Sequence, residues 1–126
     1  MASIFSKIIA GEIPCYKIYE DAKTFAFLDI NPEAMGHTLV VPKLECDKLY
    51  ELPDEDYQAV MATAKKLALN MEKVLGERTL MKVIGTDVPH AHVHLIPFDP
   101  KWKFGVTLSP SEDEMKAIQK KLEIKE

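Results

Sequence analysis

The sequence is poor in cysteine, in arginine and in long apolar runs. Its two cysteines, Cys15 and Cys46, fit neither a metal ribbon nor a Cys-x-x-Cys redox motif. They are too few for a disulfide scaffold, and two reduced thiols predict a cytoplasmic protein. Arg78 is the only arginine, and 16 Lys and Arg stand against 20 Asp and Glu, a net charge of −4. Polynucleotide binders rely on basic phosphate contacts, so nucleic acid is excluded as a partner. A small anion, held by local dipoles and histidines, is not. No apolar run approaches the roughly 18 residues of a membrane span, so no membrane is expected either. The start, Met1 to Lys7, lacks the basic and apolar regions of a signal peptide. No repeat or low-complexity segment interrupts the chain, and the eight prolines punctuate elements rather than gather in a linker.

What is present suits one globular domain over residues 1–126, since a chain of 126 residues can bury its own core without disulfide or metal. The pattern predicts a short helix over 3–10, capped by Ser3, with Ile4, Phe5, Ile8 and Ile9 in an apolar stripe. A hairpin follows, with strands around 16–20 and over 24–28 joined by Asp21-Ala22-Lys23, and a third strand over 37–42 ends in Pro42. From Asp54 to about Leu75, apolar residues recur at steps of three and four, including Val60, Ala64, Leu67 and Met71. Acidic residues mark the start of this long helix and Gly76 its end. Two more strands are expected over 80–84 and 91–98. Ser111 to Glu114 reads as a capping box opening a last helix, with Met115, Ile118 and Leu122 inward. Strands in runs separated by helices indicate an α+β fold with a mainly antiparallel sheet of about five strands.

Three of the four histidines alternate in His90-Ala91-His92-Val93-His94, the fourth being His37. In an extended segment, positions i, i+2 and i+4 share a face. The imidazoles therefore form a row, while Ala91, Val93 and Leu95 point into the core. Such a row can divide labour at a phosphorus centre: a neutral imidazole attacks, a neighbour donates a proton, and others orient the ring or hold phosphate oxygens. The same spacing also supplies metal ligands.

The segment His90-Ala91-His92-Val93-His94-Leu95-Ile96 resembles the His-φ-His-φ-His-φ-φ signature, φ being apolar, of the histidine-triad (HIT) nucleotide-binding proteins. Ile4 to Pro14, Phe25 to Pro32 and Gly36-His37-Thr38-Leu39-Val40-Val41-Pro42-Lys43 are similar to further motifs of that family, in the same order. The likeness spans about residues 3–98 and leaves 99–126 as a C-terminal extension. It implies a HIT-like fold, a homodimer, and substitution at the α-phosphate of a purine nucleotide without a cofactor, the smaller members cleaving AMP–amine bonds. By position, it implies that His92 is the nucleophile forming a nucleotidyl-histidine. His94 would protonate the leaving group or bind a phosphate oxygen, His90 would orient His92 through the backbone, and His37 would face the phosphate or leaving group. Asp29 would hold the ribose hydroxyls, and Ile13, Phe27 and Ile30 would line the base pocket. Thr86 and Asp87 would lie on the phosphate side, Thr86 where the family carries Gln and Asp87 where it carries a small hydroxyl residue. The Cys-x-x-Cys of zinc-bearing relatives is replaced by Ser3 and Ser6, and a histidine by Glu45, so no metal is expected.

Two rival functions accompany this reading. One is a nucleotide-binding module with negligible turnover. The other is a metal-dependent hydrolase using His90, His92 and His94. The aromatic, basic stretch Pro97 to Phe104 could reach a ligand or a partner, or cap the sheet.

Overall fold

The computed structural model describes residues 3–86 and 88–125. Helix α1 (Ile4–Ile9) begins where Ser3 Oγ accepts the Ser6 amide hydrogen. Strands β1 (Lys17–Glu20), β2 (Thr24–Leu28) and β3 (Thr38–Pro42) follow, then α2 (Asp54–Leu75), β4 (Thr79–Lys82), β5 (Val93–Pro97) and α3 (Glu112–Leu122). The strands form one antiparallel sheet in the order β1-β2-β3-β5-β4. The Asp21 carboxylate shapes the first hairpin, accepting the amides of Lys23 and Thr24 and the Thr24 hydroxyl at 2.8–3.0 Å. This is the turn chemistry for which Asp is favoured.

The long helix occupies its predicted range. Gly76 caps it in the left-handed conformation at φ 77°, the reason a glycine suits that point. Val60, Ala64, Leu67 and Met71 lie on its buried stripe and pack on Ala26, Leu28, Val40, Val93 and Leu95 of the sheet. The capping box forms at Ser111 and Glu114, and Met115, Ile118 and Leu122 of α3 join the same core. On the opposite face, Phe25, Phe27, Leu39 and Val41 pack under Phe5 and Ile8 of α1. Every residue of β2, β3 and β5 is buried, because both faces of the central sheet are covered. Among the described residues, no helix is long and apolar enough to cross a membrane.

Three strands differ in extent from the sequence expectation. β3 begins at Thr38, because His37 belongs to a turn in which its amide bonds Ala34 O. β4 covers 79–82 rather than 80–84. β5 begins at Val93 rather than Ala91: the amides of His90 and Ala91 bond Val88 O and Cys46 O, which are loop carbonyls, instead of a ladder partner. Pro89 has no N–H to offer a ladder. His90 and His92 therefore precede the strand, and only His94 lies within it.

Candidate active site

The alternation survives the shorter strand. Ala91, Val93 and Leu95 enter the main core, while His94 pairs with Leu39 and Lys82 in the ladder on the α1 side of the sheet. His92 meets the Phe5 ring edge-on at 5.1 Å and the His94 ring at 4.9 Å. The row is not solvated: His37, His90, His92 and His94 all lie within 5 % exposure, and Phe5 of α1 lies against His90 and His92. Buried imidazoles must be hydrogen-bonded, and their bonds assign their protons.

His92 Nδ1 lies 2.7 Å from His90 O, so Nδ1 carries the hydrogen and Nε2 carries the lone pair. On the other side, the Glu33 amide donates to His37 Nδ1 at 3.0 Å. His37 therefore holds its hydrogen on Nε2 and donates it to His94 Nδ1 at 2.9 Å. That leaves the His94 hydrogen on Nε2. Two adjacent rings thus stand in opposite tautomers, one offering a lone pair at Nε2 and the other an N–H. Burial, reinforced by His94, pushes the His37 pKa down to about 3, which keeps the His37 ring neutral near pH 7.

His90 is used at both ring nitrogens. Its Nε2 donates to Pro42 O at 2.8 Å and its Nδ1 takes the Ser3 hydroxyl at 2.8 Å. Burial holds its pKa below the ordinary imidazole value. Its influence on His92 passes through its carbonyl. His37 is likewise bonded at both nitrogens, to the Glu33 amide and to His94 Nδ1. His90 thus bonds His92 through its carbonyl, and His37 bonds His94 through its ring.

A cavity of about 150 Å³ runs along α1 and β2, lined by Phe5, Ile8, Ile13, Phe27, Asp29 and Ile30 among others, and by none of the four histidines. Ile13, Phe27, Asp29 and Ile30 thus line one cavity. Phe27 is also core, edge-on to Phe5 at 5.5 Å. Asp29 carries two duties: its Oδ1 accepts the Asn31 amide at 2.9 Å, closing the turn after β2, and its Oδ2 lies 3.7 Å from His37 Nε2. Thr86 lines a different cavity, with Lys48, Tyr50 and Ile84. Asp87 lies outside the described residues.

The donor chemistry does not suit a metal. His90, His92 and His94 cannot turn three lone pairs on one ion, since both His90 nitrogens and His92 Nδ1 are already bonded. Asp29, His37 and His94 bring ligand atoms within 4.8 Å of one another. Yet the Glu33 amide takes the His37 Nδ1 lone pair, leaving a hydrogen, not a lone pair, on the Nε2 that would have to bind. At the second place a metal would be sought, Ser3 Oγ bonds His90 Nδ1, and Glu45 Oε1 accepts the Ser3 amide at 2.7 Å and the Ser6 hydroxyl at 2.6 Å. Hydroxyls are poor zinc ligands, and hydrogen bonds hold this corner together instead.

Comparison with known proteins decides the family. A family profile described as HIT domain matches residues 10–101. The chain belongs to the HIT domain family. It is 44 % identical over 100 residues to the adenosine 5'-monophosphoramidase HNT1 of Saccharomyces cerevisiae, which covers 76 % of this chain and 62 % of that protein. It is 35 % identical over 132 residues to the adenosine 5'-monophosphoramidase hnt1 of Schizosaccharomyces pombe, covering 99 % and 98 % of the two chains. Among solved structures, a Hit-like protein of Bartonella henselae superposes with a TM-score of 0.87 at 29 % identity, over 95 % of this chain and 93 % of that one. The antiparallel α+β fold expected from the sequence is therefore a HIT fold.

Three contributors escaped the sequence reading. Ser3, expected to cap α1 and to stand where zinc-bearing relatives carry a cysteine, also bonds His90. Phe5 lies against His90 and His92. Glu33 holds His37 through its backbone, a role no side-chain pattern could announce.

Proposed function

We propose that this HIT-family protein is a nucleotide hydrolase that cleaves purine nucleoside phosphoramidates at the α-phosphate through a covalent nucleotidyl-histidine on His92. The opposite tautomers of His92 and His94 carry this reading. The His92 Nε2 lone pair forms a bond to phosphorus as the P–N bond to the amine breaks. The leaving nitrogen takes the proton on His94 Nε2 while solvent supplies a replacement. Water then attacks phosphorus, the N–P bond to His92 breaks, and one proton returns to solvent, so the cycle balances. Asp29 is suited to two ribose hydroxyls, and Ile13, Phe27 and Ile30 to the faces of a base. The activities named for the two yeast relatives favour the same substrate class.

The test is turnover of adenosine 5'-phosphoramidate. Steady release of AMP and ammonia is expected from the native protein, and none from a His92→Ala variant. A burst of one ammonia per site without turnover would instead favour the binding module. Resistance of the activity to chelators is expected from the committed nitrogens.

We also propose a homodimer. Strand β4 is an open edge of the sheet, and Met81, Val83 and Ile84 on and beyond it are exposed. Pairing of two such edges would satisfy backbone groups that an edge leaves open. Light scattering at micromolar concentration should give twice the chain mass. A cytoplasmic site of action accords with the two free thiols.

A further inference from the structure

Beyond the triad, Trp102 of the Pro97 to Phe104 stretch and Gly105, the residue following that stretch, close on a single carboxylate, that of Glu33. Glu33 Oε1 accepts Trp102 Nε1 at 3.1 Å and the Gly105 amide at 3.2 Å, and Oε2 pairs with Lys82. The Lys82 ammonium also sits 4.4 Å from the Phe104 ring centre. Leu108 N bonds Pro32 O at 2.7 Å, closing the strap one residue earlier. The Glu33 side chain is 7 % exposed and that of Lys82 is 16 % exposed, so the pair is shielded from water. Lys82 is the ladder partner of His94 and stands on its face of the sheet. Glu33 is thus tied by its carboxylate to three points of the surrounding structure, and by its amide to His37 Nδ1.

We propose that Glu33 is a positioning residue for the leaving-group side of the reaction, clamping the turn that keeps a hydrogen on His94 Nε2. The logic is a chain of donors and acceptors. The Glu33 amide obliges His37 Nδ1 to accept, so His37 Nε2 must donate, so His94 Nδ1 must accept, so His94 Nε2 keeps its hydrogen. An amide in a loose turn would not impose the first link. With that link lost, His37 can carry its hydrogen on Nδ1 and accept from His94 Nδ1, and His94 then presents a lone pair where the leaving nitrogen needs a proton. The carboxylate, Lys82, Trp102 and the Gly105 amide make the turn rigid. The 99–105 strap thereby serves the chemistry without touching the reacting atoms. This inference rests on the phosphoramidase reading above.

Two substrates separate the possibilities. Adenosine 5'-phosphoramidate needs a proton on its leaving nitrogen, whereas the p-nitrophenyl ester of AMP releases a phenolate that needs none. For Glu33→Ala, kcat on the phosphoramidate should fall by about 100-fold, the scale of a lost proton donor, and on the ester by less than about threefold. Imidazole nitrogen NMR should show the His94 hydrogen moving from Nε2 to Nδ1. Trp102→Phe keeps the ring and removes one donor. It should show the same selective loss on a smaller scale, and it serves if Glu33→Ala does not fold. Equal losses on both substrates with unchanged His94 tautomer would overturn the role of Glu33 while leaving the phosphoramidase reading intact. Failure of the native protein on both substrates would instead strike at that reading.

Discussion

His92 Nδ1 and the carbonyl oxygen of His90 are 2.7 Å apart, a bond made between residues of one extended segment. It is available because the segment leaves the ladder before β5, so that a backbone carbonyl which would otherwise bond a neighbouring strand is turned to a side chain. The bond fixes both the tautomer and the direction of the His92 ring. Removal of that ring should abolish turnover while leaving the fold standing, since Ala91 and Val93 hold the segment from the other face. For His92→Ala, we expect a fall in kcat of at least about 10⁴-fold and no covalent labelling by a nucleotide substrate. Mass spectrometry of acid-free quenched protein reads the label. An undiminished adduct would place the nucleophile elsewhere.

The buried histidines make stability depend on pH in one direction. His37 and His90 have depressed pKa values in the folded protein, His37 at about 3, against about 6.5 when unfolded. Above about pH 6.5 neither state binds these protons and the stabilisation is whole. As pH falls below that value the unfolded chain takes up protons that the folded chain refuses, so stability declines, for His37 down to about pH 3. Each group contributes up to about 1.4 kcal/mol per pH unit. Urea midpoints between about pH 7.5 and 5, above most carboxylate titration, should fall with acid. A His37→Gln variant should show a shallower slope by nearly one proton. Equal slopes would mean that His37 titrates normally in the fold.

Much of this architecture was legible in the chain because local and global signals agree in it. The α2 stripe, the Gly76 cap and the Ser111–Glu114 capping box each state their geometry within a few residues. The triad motif placed Ala91, Val93 and Leu95 inward by alternation alone. What the sequence did not disclose arises from contacts far apart along it. Ser3 and His90 are 87 residues distant, and Glu33 and Trp102 are 69. Phe5 lies against His90 and His92, and nothing in the alternation reveals that contact. The early end of the β5 ladder depends on Cys46 O receiving the Ala91 amide, which is a tertiary accident of a loop.

The corner around His90 offers a test of how hydrogen bonds stand in for a metal. Ser3 Oγ caps α1 by accepting the Ser6 amide at 3.0 Å and bonds His90 Nδ1 at 2.8 Å. A Ser3→Ala change removes the cap and leaves a buried ring nitrogen to the more distant Ser6 hydroxyl at 3.4 Å. The expected destabilisation is about 1–3 kcal/mol, read by urea denaturation. Because His90 directs His92 through its carbonyl, kcat should decline modestly as well. A Ser3→Thr change, which keeps the hydroxyl, should retain most of the stability. If alanine and threonine behave alike, the hydroxyl is not what anchors α1.

Asp29 separates two duties that its position combines. One oxygen closes the turn through the Asn31 amide, and the carboxylate borders the apolar cavity proposed above for a base. Asn at this position keeps the turn acceptor but loses the charge that two ribose hydroxyls would meet. Asp29→Asn should therefore weaken AMP binding by about 10- to 100-fold, in the range of hydrogen bonds to a charged group, with little change in thermal stability. The dideoxy analogue of AMP has no hydroxyls to lose and should bind the two proteins about equally. Isothermal calorimetry on both nucleotides makes the comparison. Equal losses for both would assign Asp29 to the turn alone and remove it from the sugar site.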